Sequence, residues 1–273
     1  MGAAILTPGP EPGPEPPDLR GRPFDLPGGP DAVLLLHGLS GSPFEVRALA
    51  DHLHAQGLRC RGPLLLGHGG AAAALGRVTW ADWLAQARAE LEALQGARRT
   101  FVAGCSMGAL LALALAQERP ERVDGLVLLA PALRLAALPA LAGWLARRTP
   151  LGRLLPPVPK GGSDLRDGEM RRLNPAMAAL PLSAVGQLLE LAEHVDRILP
   201  GVVAPALVIA GARDHTVRLS GARRIADRIG SAPARLLVLP DSFHLVGIDV
   251  ERDLVADEAA RFLASIPAPG RGG

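Results

Sequence analysis

Tyrosine is absent from this chain of 273 residues, and the aromatic share is only 3%. Lysine is nearly absent too: Lys160 is the only one, so the 29 basic residues are otherwise arginines, set against 27 acidic ones for a net charge of +2. Nucleic-acid binding draws on cations gathered along one face and on aromatics for base stacking. Neither is present, and no nucleic-acid partner is expected. Cysteine is scarce as well. Cys60 and Cys105 are too few to staple a chain of this length, and no C-x-x-C or H-E-x-x-H spacing announces a metal. Neither metal nor cofactor is expected. His52 and His54, two apart on a helical stretch, point to different faces and read as surface residues.

Long uninterrupted hydrophobic runs are also missing. The apolar window "GLVLLAPALRLAALPALAGWLA", starting at Gly125, is broken by Pro131, Arg134 and Pro139. Its first half is β-like, so a strand followed by short helices is expected rather than a membrane span. The opening "MGAAILTPGPEPGPEPPDLRG" has no basic n-region and too short an apolar piece for a secretory signal. It also lacks the Ser or Thr that myristoylation favours. Residues 1–22 are expected to form a disordered Pro/Gly-rich tail. The expectation is a cytoplasmic protein without integral membrane association, monomeric or a small homo-oligomer.

Apolar residues are plentiful, at 48% against 21% charged, so a sizeable core can form. From Asp31 onward, Val/Leu-rich runs alternate with helical stretches. Strands are expected at "DAVLLLHG", "LRCRGPLLL", "RTFVAG", "VDGLVLLAP", "APALVIAG" and "ARLLVLP". Helices are expected between them, one opened by Thr79 and one, "MGALLALALAQERP", apolar almost all round and hence buried. In "SPFEVRALADHLHAQG", Ser42 is placed as N-cap, Pro43 at the first helical position, Glu45 as the capping partner and Gly57 as the stop. Such alternation builds βαβ units around a parallel sheet covered on both faces. The alternation lapses between about Leu133 and Pro200, a helical stretch with no convincing strand. The expected plan is one α/β domain over residues 23–273, carrying an inserted helical cap at about 134–199.

Strand "RTFVAG" runs straight into Cys105-Ser106, and a helix follows at once. A strand-turn-helix of this kind lifts a nucleophile above a sheet edge, and its tight turn needs small residues two before and two after. Centred on Ser106, those flanks are Gly104 and Gly108; centred on Cys105 they would be Ala103 and Met107. The frame selects Ser106 and leaves Cys105 as a packing residue. A serine nucleophile needs a histidine base and a carboxylate to hold it. Asp214 and His244 each follow a later strand, in that order, at the strand ends where ligands of parallel sheets gather. Asp241 is the rival acid. Asp249 reads as a structural partner of the histidine loop, and His215 should point away. An oxyanion trap would use the backbone N–H of Met107 and one from the glycine-rich loop "HGLSGSP", at Leu39.

Together these stretches resemble the α/β-hydrolases, and among them the small bacterial carboxylesterases and monoacylglycerol lipases. The resemblance rests on "PF-x-L-x-GG", "AVLLLHGLSGSP", "GPLLLGHG" followed by "TWADWLAQ", "GCSMG", "VIAGARDHTV" and "DSFHLVGIDVERD". It implies an α/β-hydrolase fold: a mostly parallel central sheet, helices on both faces and a small helical cap inserted after the sixth strand. It also implies a Ser106-Asp214-His244 triad, with Leu39 and Met107 as oxyanion-hole donors and no cofactor. The expected reaction is hydrolysis of small-molecule carboxylic esters with apolar acyl chains, of short to medium length or monoacylglycerols. Leu135, Leu138, Leu141, Trp144 and Leu145 of the cap are candidate wall residues, with Leu135, Leu138 and Trp144 the expected substrate contacts. A thioesterase, an acyltransferase or a longer-chain lipase would use the same triad, and a slow-turnover ligand receptor would share the fold. Leu39 stands where the family often has an aromatic, and the loop after "GHG" is alanine-rich, so substrate preference stays open.

Overall fold

The strands with the fewest polar residues form the middle of the sheet. The structure is a computed structural model that describes residues 19–137, 157–230 and 234–267. Its strands, in chain order, are β1 (Phe24–Leu26), β2 (Asp31–Leu36), β3 (Arg59–Gly62), β4 (Arg99–Cys105), β5 (Gly125–Leu129), β6 (Val158–Pro159), β7 (Ala179–Leu180), β8 (Ala206–Gly211) and β9 (Arg235–Leu239). Seven make one sheet in the order β1-β3-β2-β4-β5-β8-β9. Only β1 runs antiparallel to its neighbour. Strands β2, β5 and β8 are buried at every position, as a parallel sheet covered on both faces requires.

Alternate residues feed two cores. Val33, Leu35, Phe101, Ala103, Val127 and Leu129 face helices α1 (Phe44–Ala55) and α8 (Arg252–Ser265). Leu34, Leu36, Val102, Leu126 and Leu128 face the other layer. That layer comprises α2 (Ala72–Leu75), α3 (Trp80–Glu92), α4 (Met107–Glu118), α6 (Leu182–Ile198) and α7 (Leu219–Arg228). Helix α4 is buried without a break from Met107 to Ala116, as its all-round apolar sequence predicts.

Local signals hold at some ends and fail at one. Thr79 caps α3 through a reciprocal pair with Asp82. Gly57 ends α1 at φ +89°, a conformation glycine adopts without strain. The start of α1 differs from expectation. Pro43 is its N-cap, Ser42 Oγ is buried without a partner, and Glu45 turns its carboxylate away from the helix end. Strand β3 stops at Gly62 because Pro63 has no N–H to continue the ladder.

The described part of the insertion contains α5 (Gly168–Leu173), α6 and a two-stranded pairing of β6 with β7, which the absence of strand character had not foretold. It follows the fifth strand, not the sixth. Among the described residues β1 to β5 precede it, and the edge beyond β3 is closed by the three-residue strand β1. Among the described residues no helix is long and apolar enough to cross a membrane.

Candidate active site

Crossing from β3 on one side of β2 to β4 on the other makes a switch point, where the loops leaving the two strands diverge and open a crevice. Ser106 stands there, between β4 and α4, at φ +54° and ψ −109°. A non-glycine residue in that region stores strain of order 1–3 kcal/mol. The turn is held by Ser106 N–H donating to Leu129 O at 2.8 Å. Both flanking glycines are forced. A Cβ on Gly104 would lie 2.2 Å from Gly108 O, and one on Gly108 would lie 2.0 Å from Leu36 O. Cys105 faces the opposite core, and burial pushes its thiol pKa well above the ordinary range. The side chain presented to the crevice is the serine.

Asp214 and His244, from the loops after β8 and β9, reach the same point. Ser106 Oγ lies 3.0 Å from His244 Nε2, and His244 Nδ1 lies 2.8 Å from Asp214 Oδ2. Asp214 also accepts the N–H groups of Thr216 and Val217 on its other oxygen, each at 2.8 Å. The carboxylate therefore sets the imidazole with Nδ1 protonated and Nε2 free to accept the serine proton. Burial lowers the His244 pKa, but the charge and hydrogen bond of Asp214, with the charges of Asp164 and Glu45, outweigh it and hold the pKa above the ordinary histidine value. Asp241 sits at the surface with Arg166 and Arg213 instead of at the histidine. Asp249 is fully buried and accepts Phe243 N–H at 2.7 Å, bracing the His244 loop. His215 turns away to Asp164 at 2.8 Å.

Met107 is the first residue of α4, so its N–H has no partner within the helix. Leu39 lies in the turn after β2, which Gly41 N–H closes onto Gly38 O at 3.2 Å. The underside of that turn rests on Glu45, whose Oε2 accepts Gly38 N–H at 2.8 Å. Burial raises the Glu45 pKa. From the insertion, Lys160 Nζ donates to Ser40 Oγ at 2.7 Å, and Met177 N–H donates to Ser40 O at 2.9 Å. His37 accepts Leu65 N–H on Nε2 at 3.0 Å, which leaves its Nδ1 to donate to Gly38 O. Burial keeps His37 neutral, its pKa lowered to about 3.

A cavity of about 160 Å³ opens beside Ser106 and His244. Its lining combines the apolar Leu39, Leu135, Leu180, Val185 and Leu188 with the polar Ser40, Glu45, Lys160, Asp164 and Thr216. Leu135 thus reaches the cavity, whereas Leu138, Leu141, Trp144 and Leu145 lie outside the described residues. A larger groove of about 670 Å³ runs across the opposite, N-terminal ends of the strands, and its Arg98 and Arg99 are spent on Asp31. Among the described residues no three His, Cys, Asp or Glu side chains converge to hold a metal. Sequence reasoning missed Glu45, Lys160 and Asp164 in the cavity wall. Glu45 had a signal, since it lies in step with the buried Leu49 and Leu53 on one face of α1.

A family model described as serine aminopeptidase, S33, matches residues 30–251. The thermostable monoacylglycerol lipase of Bacillus sp. (strain H-257) is 31% identical over 244 residues, covering 89% of this chain and 94% of that protein. The carboxylesterase of Bacillus subtilis (strain 168) is 25% identical over 248 residues, covering 90% of this chain and 97% of its own. Among solved structures, one reported under the metagenome-derived lipolytic enzymes LipS and LipT aligns with a TM-score of 0.82 at 29% identity, covering 90% of this chain and 98% of that one.

Proposed function

The chain belongs to the serine aminopeptidase S33 family and has its α/β-hydrolase fold, and from that premise we propose that it hydrolyses carboxylic esters through an acyl-enzyme on Ser106. The observation that carries the reading is the hydrogen-bonded line from Ser106 through His244 to Asp214, beside a cavity lined by both apolar and polar side chains. His244 takes the hydroxyl proton as Ser106 Oγ attacks the ester carbonyl. Negative charge then builds on the carbonyl oxygen, where the N–H groups of Met107 and Leu39 receive it; losing one such donor costs on the order of a hundredfold to a thousandfold in rate. His244 returns the proton to the leaving alcohol and next draws one from water to release the acid. Asp214 keeps the imidazole oriented through both steps.

The cavity indicates the substrate. At about 160 Å³ it has room for on the order of ten water-sized groups, which suits a short or medium acyl chain. Leu39, Leu135, Leu180, Val185 and Leu188 would receive that chain, and Ser40 and Lys160 would receive a hydroxyl-rich alcohol such as glycerol. A p-nitrophenyl ester series from acetyl to palmitoyl, alongside a monoacylglycerol, tests this. Turnover should peak at short or medium chains and vanish in Ser106→Ala while the far-ultraviolet circular dichroism is kept. Activity retained by Ser106→Ala overturns the mechanism, and a peak at palmitoyl overturns the substrate assignment.

A further inference from the structure

Two of the three triad residues stand on separate loops, and something must hold those loops in register. The link comes from the insertion, 50 residues before Asp214 in the chain. Asp164 accepts His215 N–H at 3.0 Å, His215 Nδ1 at 2.8 Å and the Thr216 hydroxyl at 3.0 Å on its carboxylate. Its own carbonyl accepts the N–H groups of His244 and Leu245 at 3.2 and 3.3 Å. The neighbouring backbone continues the attachment, with Arg166 N–H at 3.0 Å and Asp167 N–H at 2.8 Å donating to the buried Asp249, which also accepts Phe243 N–H.

We propose that Asp164 is a positioning residue that ties the Asp214 loop to the His244 loop, and so sets the imidazole against Ser106. This rests on the triad reading above. Five hydrogen bonds converge on one residue: three reach the loop that holds the acid, and two reach the backbone of the base and its neighbour. Asp164 touches neither Ser106 nor the His244 ring through any of these bonds, so it acts through the loops. Its charge has a second effect. The groups facing His244 are Asp214 from the acid loop, Glu45 from α1, and Asp164 from the insertion, with Lys160 on the same cavity wall. On the histidine loop itself, Asp241 is engaged by Arg166 and Arg213, and Asp249 by backbone amides. Removing the Asp164 charge takes away one of the anions that favour the imidazolium.

The test is Asp164→Asn beside Thr216→Val, read by kcat, KM and the pH profile of kcat/KM on the best p-nitrophenyl ester. The rate of Ser106 labelling by a fluorophosphonate is measured in parallel. Asp164→Asn should lower kcat and the labelling rate on the order of 10- to 100-fold, more than it changes KM, which also senses Asp164 in the cavity wall. The acidic limb of kcat/KM should move to lower pH, since His244 then loses its proton more readily. Thr216→Val breaks one loop contact without changing charge; it should lower kcat several-fold and leave the limb in place. Wild-type kcat, labelling rate and limb in Asp164→Asn overturn the proposal. If Asp164→Asn does not fold, wild-type kcat in Thr216→Val overturns it instead. A wild-type enzyme silent on every ester, or a labelled Ser106→Ala, is a failure of the ester-hydrolase reading. In the first of these cases the labelling rates still decide the role of Asp164.

Discussion

Glu45 is a carboxylate buried inside the protein, and its position suits the glycine-rich turn to the donor role proposed for Leu39. A loop of small residues has many conformations to lose, and a donor that wanders stabilises no transition state. Glu45 accepts Gly38 N–H, and a Cβ at Gly41 would lie 2.1 Å from Glu45 Oε1, so the turn is moulded onto the carboxylate. Above the turn, Ser40 sits at φ +60° and is gripped by Lys160 and Met177. Glu45→Ala leaves the buried Gly38 N–H unpaired, which costs about 1–3 kcal/mol. It should also cut kcat at least tenfold, because the Leu39 N–H is no longer held in place. Glu45→Gln keeps an acceptor and should retain most of both. Urea unfolding together with steady-state kinetics separates the two variants. Wild-type stability and kcat in Glu45→Ala would mean that the carboxylate does not support the turn.

At the scale of elements, helix α6 adds to the apolar lining of the cavity by presenting Val185 and Leu188, three apart on one face. Val185→Phe should fill space that an acyl chain would use and move the optimum of the ester series to shorter chains, with acetyl-ester kcat/KM within a few-fold of wild type. An unchanged optimum would place the acyl chain elsewhere. This helix was legible only as helical character, and its part in the cavity was not. The elements around Ser106, Asp214 and His244 were readable because each follows a Val/Leu-rich strand, and parallel strands deliver their ends to one edge. Lys160 and Asp164 come from a stretch with neither period, one and five residues beyond the short β6. Their partners Ser40 and His215 lie 120 and 51 positions away. Nothing local in a sequence encodes contacts of that span. The capping box expected at Ser42 and Glu45 failed for a related reason: a tertiary partner, Gly38 N–H, took the side chain that the helix end would have used.

For the whole molecule, the two ends of the sheet have different demands. The end that carries Ser106 buries imidazoles next to one another: the rings of His37 and His68 meet edge-on, with centroids 4.8 Å apart. Burial is the main cause that lowers the His37 pKa to about 3 and the His68 pKa to about 4. Both are neutral in the folded state, while the unfolded chain takes up protons near pH 6.5. Their folded values lie below the unfolded ones, so stability is intact above about pH 6.5 and is lost as pH falls toward the folded values. His244 has the opposite sign. Its raised value adds stability as pH falls, and that gain is complete once pH is below the unfolded value of about 6.5. Between about pH 6 and about pH 5 the two buried imidazoles should therefore remove on the order of 2 kcal/mol from the unfolding free energy. Replacing one of them, in His68→Phe, should roughly halve that slope. Urea midpoints at the two pH values, for wild type and variant, measure it. A stability that stays level across this interval in the wild-type protein would mean that water reaches the His37–His68 pair, and that this end of the sheet is less tightly closed than its burial indicates.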